Sequence, residues 1–260
     1  MIDLKYAREQ FERYLDGYDR EDEKIKLKIV HTYGVVDCAR QIAARMHFSE
    51  EDCELAEIIA LLHDIGRFEQ IKQFDSFEPT TMDHAAYGVE VLFGQENMIR
   101  RFVADDTWDE IIRAAIGKHS DFKIEGITDE RMLLHAKLIR DADKLDNCRV
   151  KLEDSVEVMV GETEEQVGSE KISSKVWESC MRHEAVKSPD RVDKIDYWVS
   201  YIAYFFDMYF PATFQLVREN DFVSRIIGRI TYTDDDTKVK MNQLETMVND
   251  YVTRMSKEKC

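Results

Sequence analysis

Apolar residues recur every three to four positions along most of this chain, and stripe after stripe carries a histidine or an aspartate on its apolar side or at its end. Spacing of that kind buries one face of an α-helix. Leu4, Ala7, Phe11 and Leu15 form a first stripe that stops near Gly17. A longer one, from about Glu21 to Met46, carries Leu27, His31, Val35, Cys38 and Ile42. Ser49, with Asp52 three residues on, predicts a helix N-cap ahead of Leu55, Ile58, Ile59 and Leu62. His63 and Asp64 fall at the far end of that helix, where Gly66 is expected to stop it. Gln70 to Thr81 is read as a loop over the helix ends.

Further stripes follow. One starts near Asp83 with His84, Gly88, Val91 and Leu92; another runs from about Asp106 to His119 through Ile112, Ala115 and Ile116. A third spans roughly Thr128 to Cys148, with Met132, Ala136, Ile139 and Asp143 aligned. The acidic stretch from Lys151 to Ser174 predicts a loop or short elements, and helical pattern returns from Val176. A final amphipathic helix carries Leu244, Val248, Tyr251 and Met255. With only 10 Gly and 3 Pro in 260 residues, few turns are obligatory, so the expected class is all-α.

Composition narrows the function. A formal net charge of -17, with no cluster of Lys and Arg interleaved with aromatics, argues against a DNA or RNA duplex as partner. Cys38, Cys53, Cys148, Cys180 and Cys260 are scattered and odd in number, which suits thiols in a reducing compartment. MIDLKYAREQ has no apolar signal-peptide core, so a cytoplasmic protein is expected. Tyr197 to Val217 is apolar enough to suggest a membrane span, yet Asp207 and Pro211 interrupt it and a buried segment is the better reading.

A lone histidine on an apolar face is usually a hydrogen-bonded core residue. His31, His63, Asp64, His84, His119 and Asp143 together are a different matter, because each would need its own buried partner. A metal centre satisfies them jointly. Imidazole and carboxylate ligands suit Fe, Mn, Co, Ni or Zn, with Mg also admitted, better than Ca.

The order His31, then His63-Asp64, then a distant Asp143 resembles the signature of the HD superfamily, and DADKLDN (Asp141 to Asn147) is similar to its last motif. His84 in MDHAAYGVEVLF and His119 in AAIGKHSDF stand where two-metal members carry further ligands. The resemblance covers about residues 24–149. It implies an HD-domain helical bundle, read here as one domain over 1–230, with a C-terminal helical extension over 231–260 that packs on the core or on a partner subunit.

The same resemblance implies one divalent ion on His31, His63, Asp64 and Asp143 and another on Asp64, His84 and His119, with Asp64 bridging. Asp141 and Asp146 then become supporting or helix-surface residues. The expected activity is hydrolysis of a phosphate ester of a nucleotide or other small molecule through a metal-activated bridging water. Arg67, Lys118 and Lys144 are the cations nearest the motifs in sequence, and Asp64 is the central catalytic group. Two other readings stay open: a di-iron oxygenase similar to inositol oxygenase, and a nucleotide-binding module. His47, His135 and His183 match no motif position, and a homo-oligomer is allowed.

Overall fold

Asp22, Ser49 and Asp83 each place a side-chain oxygen on backbone N–H groups one turn ahead, and each opens a helix. The computed structural model describes residues 2–78 and 80–258, and every regular element among them is helical. The elements are α1 (Leu4–Leu15), α2 (Glu23–Arg45), α3 (Glu50–Leu62), α4 (Ile65–Phe74), α5 (His84–Phe93), α6 (Asp109–Lys118) and α7 (Glu130–Glu153). Then come α8 (Val156–Val160), α9 (Glu164–Ser169), α10 (Ser174–Met181), α11 (Lys194–Ala203), α12 (Pro211–Glu219), α13 (Phe222–Arg229) and α14 (Asp235–Met255). Short 3-10 turns lie at Met98–Arg101, Ser188–Asp190 and Tyr204–Asp207.

The chain divides into two compact units, Met1–Asp146 and Asn147–Cys260, and the division falls inside α7 rather than near residue 230. In the first unit α2 lies along α3, α4 along α5, and α5 along α6. Val35, Val36, Ala39 and Ile42 of α2 face Leu55, Ile58, Ile59 and Leu62 of α3, all buried. Phe11 of α1 meets Phe68 of α4 edge to face, with ring centroids 6.0 Å apart.

Two expectations for this unit need correction. Gly66 does not end a helix: α3 stops at Leu62, His63 and Asp64 form the corner, and Gly66 lies in the first turn of α4. The glycine serves close packing, since a Cβ there would collide with the His84 carbonyl oxygen and lie 2.7 Å from Gly88 N. Nor is Gln70 the start of a loop. It is fully buried on α4, and its Nε2 donates to Glu78 O and Thr81 Oγ1, both at 2.8 Å. The helix runs on to Phe74 and ends at Asp75 in the left-handed region, φ 48°. A polar side chain that looked like loop composition is the internal strut of the loop that follows.

In the second unit the acidic stretch after Glu153 forms the short helices α8 and α9. The aromatic stretch splits into α11, a 3-10 turn and α12, and no helix among the described residues is long and apolar enough to cross a membrane. α14 packs on α12 and α13 through Met241, Leu244, Val248 and Val252, all fully buried. Tyr251, expected on that stripe, instead meets the rings of His183, Phe206 and Phe214. None of Cys38, Cys53, Cys148 and Cys180 is in a disulfide; Cys260 lies outside the described residues.

Gly66→Ala should cost about 1–3 kcal/mol in urea unfolding, because backbone on both sides must move to admit the methyl group. Gly228→Ala is the control: Gly228 is exposed on α13, with nothing within 4 Å of the added Cβ. That substitution should gain about 0.5–1 kcal/mol from helix propensity. Equal midpoints for the two variants would contradict the tight α4–α5 approach.

Candidate metal centre

The corner between α3 and α4 carries His63 and Asp64 into the interior, where three other helices of the first unit bring histidines to them. His31 comes from α2, His84 from the first position of α5, and His119 from the C-cap of α6. Exposures of 1% for His31, 0% for His63, 3% for Asp64 and 5% for His84 and His119 leave little water to solvate them. Their ligand atoms form two triads, His31–His63–Asp64 and Asp64–His84–His119, each with all atoms within 4.8 Å of one another. Asp64 belongs to both. Its Oδ2 is 3.6 Å from His63 Nε2, and its Oδ1 is 3.4 Å from His84 Nε2 and 3.5 Å from His119 Nε2. Asp143 on α7 is outside either triad but closes on the first, with Oδ1 3.0 Å from His31 Nε2 and 4.0 Å from His63 Nε2. Its side chain is 25% exposed, which makes it the open edge of the cluster.

The hydrogen bonds fix which nitrogen of each ring is available. His63 Nδ1 lies 2.7 Å from Ala60 O and His119 Nδ1 2.7 Å from Ile116 O. A carbonyl only accepts, so both Nδ1 atoms carry a proton, which leaves Nε2 of each ring as the atom that can face a metal. The buried His63 Nε2 has no hydrogen-bond partner. His84 Nε2 accepts from Arg67 NH2 at 2.9 Å and lies 3.1 Å from His119 Nε2. Two imidazole lone pairs facing each other at that distance repel, and a cation between them turns the repulsion into coordination. The residues therefore fit a divalent metal.

Electrostatics support the same assignment of protonation states. Burial pushes His63 down to about 4, outweighing the carboxylates of Asp64 and Asp143. Burial and then the Arg67 charge hold His84 well below the ordinary histidine range. Burial acts to raise Asp64, but Lys28 and His63 hold it well below the carboxylate range. The same opposition applies at Asp143, where burial is overcome by the hydrogen bond and charge of His31. His31 moves upward: burial and Lys28 oppose its charge, yet hydrogen bonds to Asp143 and Asp146 prevail. Most of the donor set is thus held as neutral imidazole and ionised carboxylate, the forms that bind metal.

Lys28 and Arg140 escaped the sequence reading, and Asp146, left there as a supporting or helix-surface residue, supports His31. Lys28 donates to Asp64 Oδ2 at 2.7 Å; the signal available was its place three residues before His31, on the same face of α2. Asp146 is buried and accepts from His31 Nδ1 at 2.7 Å, which turns Nε2 toward the centre. It reaches that position because residue 34 is glycine: a Cβ there would overlap the Asp146 carboxylate. Arg140, 2% exposed, donates to the carbonyls of Lys118 at 3.3 Å, His119 at 3.1 Å and Asp121, fastening the end of α6.

Of the cations picked from sequence, Arg67 is at the cluster, with Nε 3.8 Å from Asp64 Oδ1 and NH1 3.1 Å from Phe77 O. Lys118 pairs with Asp121 at 2.8 Å, and its side chain is 41% exposed. Lys144 is buried on α7, as is Asp141. His135 is buried away from the triads and lies 3.0 Å from Asp52 Oδ1. His47 follows α2 with φ 54°, and His183 stacks on Phe206 in the second unit.

Residues 29–148 match the family model of the HD domain, and every member of both triads lies in that span. Residues 29–148, in a bundle whose described elements are all helical, are thus an HD domain. HD domains bind divalent metals and are in general hydrolases, and the His and Asp groups of the two triads could hold metal in this chain. No curated protein and no solved structure matches the chain.

Gly34→Ala should displace the Asp146 carboxylate and free the His31 ring. We expect about 10–100-fold weaker binding of Mn or Co, with unfolding in chelator close to that of the parent. Asp146→Ala should reproduce the loss. Metal affinity unchanged in both variants would show that the contact does not orient His31.

Proposed function

We propose that this chain hydrolyses a phosphate ester of a nucleotide or other small molecule at a two-metal centre. His31, His63, Asp64 and Asp143 would hold one divalent ion, and Asp64, His84 and His119 the other. The observation that carries the reading is Asp64, a buried carboxylate with a different set of imidazoles against each oxygen. Two divalent ions held there would supply activated water at neutral pH and a Lewis-acid clamp on phosphoryl oxygens.

The remaining work belongs to the chain. Arg67 is held by Gln70 Oε1 at 2.5 Å and by Phe77 O, so its guanidinium is oriented before any substrate arrives. A planar donor so placed suits the equatorial oxygens of a phosphoryl group. The Lys28 ammonium is 2.7 Å from Asp64 Oδ2 and 5.7 Å from the centroid of the Phe77 ring. Both cations are only 13% exposed at the side chain, so a bound anion would feel them with little screening. The Phe77 ring, beside Lys28, would form one side of the space a phosphate occupies.

The test is phosphate release over a panel of nucleotides, sugar phosphates and generic esters, with Mn or Co added, together with metal analysis of the native protein. Asp64→Ala should lose bound metal and at least about a hundredfold in rate, the scale of an electrostatic stabiliser removed from a reacting centre. Arg67→Glu should raise KM for phosphate substrates while metal content holds. Full activity in Asp64→Ala would overturn the reading. So would an iron-loaded protein that consumes O2 and releases no phosphate, which is the outcome an oxygenase gives.

A further inference from the structure

We infer that Gln70 is a positioning residue for phosphate binding: it fixes which edge of the Arg67 guanidinium faces the metal cluster, and it ties that edge to the loop before α5. This role rests on the proposed reading of Arg67 as a phosphate ligand. Gln70 itself belongs to neither metal triad.

Gln70 stands one turn after Arg67 on α4 and is fully buried. An amide has two chemically different ends, and its surroundings decide which way round it sits. Arg67 NH1 only donates, so the atom 2.5 Å from it is the amide oxygen, Oε1. On the far side Glu78 O only accepts, and the Thr81 hydroxyl already gives its proton to that carbonyl at 2.7 Å. Both therefore accept from Gln70 Nε2, each at 2.8 Å. A neutral amide meets a guanidinium at one end and two acceptors at the other. A glutamate there would set a carboxylate against the Glu78 carbonyl, and a lysine would set an ammonium against Arg67.

The consequence falls on Arg67. Its NH1 carries two N–H groups, and both are engaged, one by Gln70 Oε1 and the other by Phe77 O at 3.1 Å. Phe77 O belongs to the loop that the Nε2 end of Gln70 holds, so the same amide fixes NH1 twice, directly and through the loop. The guanidinium is planar, and pinning NH1 aims the rest of it. NH2 lies 2.9 Å from His84 Nε2, and Nε lies 3.8 Å from Asp64 Oδ1 with no hydrogen-bond partner among the described residues. The edge left over thus faces two of the proposed metal ligands, and an anion held by ions on those ligands would meet it. A long side chain held in one rotamer beforehand loses less freedom on binding, which is the gain Gln70 supplies.

Inorganic phosphate is the probe, titrated calorimetrically into the full chain loaded with Mn to equal content in the parent, Gln70→Met, Arg67→Ala and the double variant. Arg67→Ala should weaken phosphate about tenfold or more, the loss expected when charged hydrogen bonds disappear. Gln70→Met roughly keeps the buried volume and leaves Arg67 in place, yet should weaken phosphate at least about threefold. In the double variant the loss should be that of Arg67→Ala alone, because a positioning residue has no effect once the group it positions is gone. Losses that add are what a general loosening of the fold gives, and they overturn the inference. So does a Gln70→Met isotherm that superimposes on the parent's, or a parent that binds no phosphate.

Nitrogen relaxation of the Arg67 Nε–H group in the parent, assigned by its absence in Arg67→Ala, gives a measurement that stands even where Gln70→Met fails to fold. A pinned guanidinium should show an order parameter near about 0.85, and a value below about 0.6, that of a flexible group, overturns the inference. A parent that releases no phosphate from any ester removes the hydrolase reading, while the binding cycle still decides the role of Gln70.

Discussion

A carboxylate buried to 3% exposure needs compensation, and the first unit is organised around supplying it to Asp64. The chain breaks helix at His63 and Asp64, so both residues turn inward together. Glycine at 66 then lets α5 approach closely enough to deliver His84, and Arg140 holds the end of α6 where His119 sits. Lys28 reaches across from α2 to the other carboxylate oxygen. Each device is local, and each is intelligible once the buried charge is taken as the starting constraint. Without a cation the arrangement is only partly satisfied, because His63 Nε2 stays unmatched and the lone pairs of His84 and His119 confront each other.

Much of this was legible in the sequence. Helical periodicity placed α2, α3, α5, α6 and α7, and the polar residues that interrupted their apolar stripes are the ones that meet in the interior. What periodicity lacks is a third dimension. It could not show that Gly66 faces the backbone of α5 rather than closing a helix, because glycine has the same letter in both roles. Gln70 misled for a related reason: a polar residue beside a loop is read as part of it, whereas here it is buried and its amide organises the loop from beneath. Lys28 and Arg140 escaped notice, and Asp146 was left between a supporting and a surface role, because ordinary helices carry many such charges and only burial separates a positioning residue from a solvated one.

The second unit shows the same limit from another side. Its aromatic stretch is apolar enough to suggest a single long helix, but Pro211 lacks the N–H that a continuing helix would need and instead opens α12. Asp196, one turn into α11, is fully buried and accepts from Ser173 N at 2.9 Å, Ser173 Oγ at 2.6 Å and Val192 N at 2.9 Å. A buried carboxylate there is satisfied by backbone and hydroxyl donors and needs no metal. The comparison with Asp64 is instructive. Both are buried aspartates near helix starts, and what separates a structural one from a candidate ligand is whether its partners are fixed donors or imidazole lone pairs that themselves need a cation.

Charge distribution adds the last step. A chain with a formal net charge of -17 repels phosphates at long range, and screening confines that field to roughly 8–10 Å at physiological salt. Inside that distance local groups decide. The metal cluster carries two carboxylates, but Lys28 and Arg67 stand against them, and divalent ions would make the local balance positive. An anion that reached a metal-loaded cluster would therefore enter a positive local potential despite the chain's net charge. That local reversal is what the proposed phosphate ester would meet at a metal-loaded cluster.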